Sequence, residues 1–259
     1  MEFFSGVKAY LFDLNGVFFV DGTPLEGAAE TIEMVKARDI PRRFITNTTT
    51  RSLDTLHHAL NEMGLPVDKS EIISPGRAAV MHLRKLGKPR CHLLLNEDTK
   101  KDFAEFPTSH TNPDVIVIGD IGEKWNYQIL NQAFEMLMYG ARLIALHKGR
   151  YWQTGKGLKL DIGAFVSGLE YATGRKAEII GKPTSSFFEA ALESLGSPAG
   201  ETAMLGDDIE SDVGGAQAAG LKGVLMKTGK YRPEIVSRSM VRPDAVLENI
   251  GELREHLGA

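Results

Sequence analysis

The sequence predicts an α/β protein: a doubly wound parallel-sheet core interrupted by an inserted α/β domain. Three observations predict it. Short apolar runs ending in polar residues alternate with helical patterns along the chain, the mark of βα units and a largely parallel sheet. Many helical stretches are closed by glycine, which accepts the left-handed conformation at a helix end. Asp13, Thr46, Lys182 and Asp207 stand at or near the ends of such runs, whereas residues 82–181 supply none of these four and carry their own strand-helix alternation.

In chain order, VKAYLFD (7–13) is an unbroken apolar run and reads as a strand buried on both faces. A helix over 27–38 leads to the strand RFITN (43–47), then a helix over 52–63 closed by Gly64. The helical pattern 76–86, closed by Gly87, precedes HLLLN (92–96) and DVIVIGD (114–120). Next come a helix over 127–139, RLIALH (142–147), a helix over 162–173 and AEIIGK (177–182). The insert is therefore expected over 82–181, with the core formed by 1–81 and 182–259. The core resumes with a helix over 185–195, TAMLGD (202–207), a helix over 212–219 and GVLMKTG (223–229). Glycine-bearing loops around 64–74 and 174–181 are candidate hinges.

Composition narrows the function. A chain of 259 residues, 42% hydrophobic and 25% charged, has room for one large globular domain or two modest ones. A net charge of −4 leaves no basic surplus to neutralise a phosphate backbone, so nucleic acid is excluded as the main partner. The single cysteine, Cys91, excludes an internal disulfide and a multi-cysteine zinc site and favours a reducing, cytoplasmic location. No apolar run approaches the roughly 18 residues of a membrane helix. The opening MEFFSGVKAYLFDLN lacks the charge-then-apolar order of an export signal, so neither membrane insertion nor export is expected.

In open parallel sheets the ligand lies beyond the carboxyl ends of the strands. FDLNGV (12–17) places Asp13 there, followed by Asn15 and Gly16 in a tight turn. LGDDIESD (205–212) places Asp207 at another strand end, with Asp208 and Asp212 beside it. Such a gathering of carboxylates is costly unless a hard cation with oxygen ligands compensates, and Mg²⁺ is the natural choice. The plainer reading, that these aspartates cap the following helix, is preferred for Asp208 and not for Asp207. Thr46 and Asn47 in FITNTT, with Lys182 in GKPT, offer a hydroxyl, backbone amides at a helix entrance and a compact cation, a receptor for a phosphoryl group. Singly, each reads as easily as a turn residue or an exposed lysine. No G-x-G-x-x-G follows the first strand and no P-loop pattern occurs, so the usual nucleotide cradles are missing.

Together and in this order, DLNG (13–16), TN (46–47), GKP (181–183) and GDDIESD (206–212) resemble the motifs of the haloacid dehalogenase superfamily of aspartate-nucleophile phosphohydrolases: Asp-x-Asp-Gly, then Thr or Ser, then Lys, then Gly-Asp-x-x-x-(x)-Asp. The resemblance covers the whole chain, and the insert falls where members with a large α/β cap carry it. It implies a Rossmann-like core, a cap that sets substrate specificity, and Mg²⁺-dependent hydrolysis of small phosphorylated substrates. Asp13 would be the nucleophile. Mg²⁺ would be held by Asp13, the Asn15 carbonyl and Asp207, with Asp212 or Asp208 orienting its waters. Thr46, Asn47 and Lys182 would bind phosphoryl oxygens.

One position departs from the pattern. Most phosphatases of the superfamily have a second aspartate where Asn15 stands, protonating the leaving oxygen and later activating water; an amide does neither at neutral pH. General acid–base help is worth about 10²- to 10⁴-fold, so substrates with leaving groups that need little protonation are expected: pyrophosphate, acyl or phenyl phosphates, or phosphoramidates of lysine and histidine. Asn15 is equally read as an introduced substitution that traps the phosphoenzyme, or as the mark of a weakly active or inactive phosphate-binding protein. In the cap, His147, Lys148, Arg150, Tyr151 and Trp152, with Gly155, Gly157 and Asp161 beyond, are candidate substrate contacts, Lys148 foremost. The plainer reading is a solvated basic turn with aromatics in the cap core. Met136, Leu137 and Met138 read as cap core or a subunit contact, which makes a homodimer through the cap a candidate assembly.

Overall fold

The computed structural model describes residues 2–154 and 157–258. It divides into two compact units, one of Met1–Thr46, His57–Ile73 and Lys182–Ala259, the other of Asn47–Leu56 and Ser74–Gly181. Among the described residues, no helix is long and apolar enough to cross a membrane.

The first unit is built on a six-stranded parallel sheet in the order Ala245–Leu247, Lys222–Met226, Thr202–Gly206, Ala9–Asp13, Arg42–Ile45, Ile72–Ile73. The first strand lies between neighbours reached in opposite directions, which makes its carboxyl end the topological switch point where α/β sheets bind ligands. Every residue of Ala9–Asp13 is buried, as expected for a strand covered on both faces. Phe12 stacks on Tyr10 and Phe44, with centroids 5.5 and 5.6 Å apart, and Phe18 meets Phe12 and Phe44 edge-on at 5.5 Å. Because Phe18 comes from the turn after Asp13, this aromatic packing anchors both ends of that turn.

The second unit carries a four-stranded parallel sheet, Glu178–Ile179, Arg142–Ala145, Val115–Ile118, Cys91–Leu94. Alternation along Val115–Ile118 feeds two cores: Val115 and Val117 pack with Leu83, Phe103 and Phe106, while Ile116 and Ile118 pack with Ala133, Leu137 and Val166. Met136 and Leu137 belong to the second of these cores, whereas Met138 is 55% exposed. Cys91 is buried, and burial pushes its thiol up to about 11. Tyr151–Thr154 and Gly157–Leu160 pair antiparallel.

Two features differ from the sequence expectation. Helix Pro75–Lys85 runs continuously past residue 81, and its buried Ala79, Val80 and Leu83 pack in the second unit's core. The division therefore falls before Ser74 rather than after 81. Asn47–Leu56 also sorts with the second unit, through bonds between residues far apart in the chain. Ser52 N and Thr55 Oγ1 donate to the two oxygens of Asp98 at 2.8 and 3.0 Å, Leu53 N donates to Asp102 Oδ2 at 3.1 Å, and Thr99 Oγ1 donates to the Thr49 carbonyl at 2.8 Å. The hydrogen bond from Lys101, helped by that from Ser52, brings the Asp98 carboxyl down to about 2. Asp98→Ala leaves these donors unmatched and is expected to destabilise the protein by about 1–3 kcal/mol in urea unfolding. A depressed carboxyl contributes stability above its ordinary range and loses it as the pH falls towards 2, so acid should narrow the gap between wild type and variant.

Candidate active site

Parallel register brings distant residues to one edge of the first unit's sheet. Asp13 is paired with Ile45, so Thr46 emerges beside it; Phe12 is paired with Leu205, so Asp207 emerges on the other side. The expected helix over 212–219 begins earlier and wider, as a π-helical turn Ile209–Gly214 running into Gly215–Ala218. Asp208 starts that turn, its Oδ1 accepting from Glu210 N and Ser211 N at 3.1 Å each, the capping role the sequence favours for it. Asp212 Oδ2 in turn accepts from Asp208 N at 3.1 Å.

Asp13, Asp207 and Asp212 are 5%, 3% and 1% exposed, and each offers an oxygen within 4.8 Å of the others. Lys182, 3% exposed, sets its Nζ 2.5 Å from Asp13 Oδ1 and 2.7 Å from Asp212 Oδ1. Burial pushes the Asp13 carboxyl up to about 6, with Lys182 pulling the other way and Asp212 adding to the rise. Burial, reinforced by Asp13 and Asp212, holds Asp207 well above the ordinary carboxylate range. Burial works against the charge on Lys182, but Asp13 and Asp212 outweigh it and keep the ammonium protonated. Carboxylates thus remain under-compensated in a low-dielectric pocket. A donor set of clustered carboxylate oxygens suits a hard divalent cation, so the residues present fit Mg²⁺.

Close backbone approach completes the site. A Cβ on Gly16 (φ 100°) would lie 1.9 Å from Asp207 Oδ2, and one on Gly229 (φ 53°) would lie 2.0 Å from the same atom. Only glycine combines that space with that conformation.

Of the residues singled out from sequence, Asp13, Lys182, Asp207 and Asp212 come together in direct contact or close array, with Thr46 buried at the same edge and its amide donating to the Ile73 carbonyl at 3.2 Å. Asn15 is exposed in the turn beyond Asp13, bridged to Phe19. Asn47 and Lys148 belong to the second unit. There the Lys148 ammonium lies 2.5 Å from Glu170 Oε2, so its charge is already met by a carboxylate. Lys148 and Arg150 line a cavity of about 270 Å³ with Gly163, Ala164 and Ser167. His147 is buried, its Nδ1 accepting from Gly149 N at 3.0 Å and its Nε2 3.7 Å from Asp161. Gly155 and the Trp152 side chain lie outside the described residues. Sequence reasoning missed Thr228 and Lys230, which lie just past the strand Lys222–Met226. Lys230 N donates to Asp207 Oδ2 at 2.6 Å, and its Nζ lies 3.4 Å from Asp208 Oδ2. The rule that picks out Asp13 and Asp207, extra weight on residues at the carboxyl end of a buried strand, applies equally to KTGK (227–230).

A haloacid dehalogenase-like hydrolase family model matches residues 10–107, and a HAD-hydrolase-like model matches residues 179–253. Over 254 residues the chain is 37% identical to the phospholysine phosphohistidine inorganic pyrophosphate phosphatase of Homo sapiens, covering 96% of this chain and 93% of that protein. Over 251 residues it is 40% identical to the haloacid dehalogenase-like hydrolase domain-containing protein 2 of Bos taurus, covering 97% and 96%. Among solved structures, a 4-nitrophenylphosphatase from Thermotoga maritima matches with a TM-score of 0.90 at 29% identity, covering 97% of this chain and 98% of that one. A p-nitrophenyl phosphatase from Archaeoglobus fulgidus matches with a TM-score of 0.90 at 26% identity, covering 96% and 99%.

Proposed function

Since this chain belongs to the haloacid dehalogenase-like hydrolases and is a phosphatase of that family, we propose that it is a Mg²⁺-dependent phosphohydrolase working through an aspartyl-phosphate on Asp13. Its substrates are small phosphorylated compounds whose leaving groups need little protonation, with pyrophosphate and phosphoramidates first among them. The observation that carries this reading is the buried array of Asp13, Asp207 and Asp212 around Lys182.

In this scheme Asp13 Oδ attacks phosphorus: a P–O bond to Asp13 forms, the bond to the leaving group breaks, and the leaving group takes the electron pair. Water then attacks the aspartyl-phosphate, releasing phosphate and restoring the carboxylate. Asp13, Asp207 and the Asn15 carbonyl, with Asp212 in support, would hold Mg²⁺, which supplies the charge that offsets repulsion between carboxylate and phosphoryl oxygens. Lys182 keeps positive charge beside Asp13, and Thr46 and the Asn47 amide bind the remaining phosphoryl oxygens. Asn15 has no acidic proton for the departing atom. A weakly basic oxygen leaving group departs without one, and the nitrogen of a phosphoramidate, already protonated from solvent, leaves as a neutral amine. The names of the mammalian relatives, which cite pyrophosphate, phospholysine and phosphohistidine, accord with that preference. We assign substrate discrimination to the second unit, within which Lys148 and Arg150 line one cavity and Lys148 pairs with Glu170.

The test is phosphate release from pyrophosphate, p-nitrophenyl phosphate, phospholysine and an alkyl phosphate, in Mg²⁺ and in EDTA. Release is expected in Mg²⁺ alone, faster for the first three than for the alkyl ester. Equal rates in EDTA would remove the cation from the mechanism, and no release from any substrate would sink the reading.

A further inference from the structure

We propose that the turn Thr228–Gly229–Lys230 positions the carboxylates of the cation site and thereby sets the affinity for Mg²⁺. The inference rests on the reading of Asp13, Asp207 and Asp212 as the Mg²⁺ site, and it assigns a role to residues outside the motifs.

The turn is delivered by the sheet. Lys222–Met226 pairs with Thr202–Gly206, Gly206 opposite Leu225, so the residues after Met226 emerge at the same edge as Asp207. Tyr231 N donates to the Thr228 carbonyl at 3.0 Å and closes the turn. From there it grips both chain segments that supply ligands. On one side Thr228 Oγ1 donates to the Gly16 carbonyl, one residue beyond Asn15. Gly16 N donates to the Phe19 carbonyl at 2.7 Å, so the nucleophile turn is held from within as well as from Thr228. On the other side Lys230 N donates to Asp207 Oδ2 at 2.6 Å. Between the two, a Cβ on Gly229 would lie 2.5 Å from Gly16 Cα and 2.0 Å from Asp207 Oδ2, so the turn is in contact with both segments at once.

The physical consequence concerns preorganisation. Like-charged carboxylates such as Asp13 and Asp207 repel in the absence of a cation, and a site free to open would have to be closed again on binding. A neutral backbone amide on Asp207 and a hydroxyl on Gly16 hold the two ligand-bearing segments together, while the Lys230 ammonium of the same turn, 3.4 Å from Asp208 Oδ2, adds positive charge on the Asp208 side. Hydrogen bonds of this outer kind are worth about 10- to 100-fold in metal affinity.

Thr228→Val keeps the shape of the half-buried side chain and removes the donor; Thr228→Ser keeps the donor. In Mg²⁺ titrations by isothermal calorimetry, T228V is expected to raise the Kd for Mg²⁺ by about 10- to 100-fold and T228S to restore it. Gly229→Ala, which drives a Cβ into Asp207, is expected to weaken Mg²⁺ at least as much. If the turn merely joins strand to helix, T228V lowers the melting temperature and leaves the Kd of the folded protein at the wild-type value, which overturns the inference. Where valine costs the cooperative melt, Thr228→Ala against T228S decides by the same criterion. An Asp207→Asn control separates this inference from its premise. Mg²⁺ heat in wild type that D207N abolishes and T228V retains in full refutes the turn's role alone. Absence of Mg²⁺ binding to wild type refutes both.

Discussion

Asp13→Asn is expected to abolish Mg²⁺-dependent phosphate release, lowering turnover by about 10⁴-fold or more on every substrate. The amide cannot attack phosphorus, and one of the clustered oxygens that fit the cation loses its charge. Loss of turnover alone would not separate a missing nucleophile from a collapsed site, so a second measurement goes with it. Burial raises the Asp13 carboxyl from 3.8 to about 6, so the metal-free fold prefers it protonated. The stability gained from that preference is full below pH 3.8 and is lost as the pH climbs through about 6. Melting temperatures in EDTA across this range should therefore fall less in D13N than in wild type. Wild-type rates in D13N would move the nucleophile elsewhere, and an unchanged pH slope would mean that Asp13 is not the strained carboxyl.

Asn15→Asp is expected to raise turnover of alkyl phosphates by about 10²- to 10⁴-fold, the usual worth of general acid–base help. The side chain it replaces is exposed in the turn immediately beyond Asp13, so a carboxyl there can reach a departing atom without desolvation. The gain should be small on p-nitrophenyl phosphate and pyrophosphate, whose leaving groups depart without a proton. Plotted against leaving-group basicity, wild-type rates should fall steeply and N15D rates gently. If N15D is no faster on any alkyl ester, the missing acid is not what shapes substrate choice.

How much of this is legible before the fold depends on how each residue acts. Asp13, Thr46 and Asp207 stand at the ends of strands long enough to show as apolar runs, so their position and side-chain chemistry are read from the same few letters. Ile72–Ile73 and Ala245–Leu247 are strands of two and three residues, too short to display a period, and they enter the sheet unannounced. Thr228–Lys230 escapes notice because part of its grip is a backbone amide and a glycine's missing Cβ, neither of which has a sequence letter of its own. The sorting of Asn47–Leu56 with the second unit is hidden because Asp98 and Asp102 secure it across more than forty positions of chain.

The order of the chemical groups, their places at strand ends and the alternation that builds two parallel sheets were all determined by the linear chain, because periodicity and turn chemistry are local properties. Tertiary structure alone decided which charges share a partner. It bound Lys182 to Asp13 and Asp212, met Lys148 with Glu170, and left Asp207 buried among like charges. The energy of a buried ion depends on its distance from other ions and from water, and those distances exist only once the strands have been brought side by side.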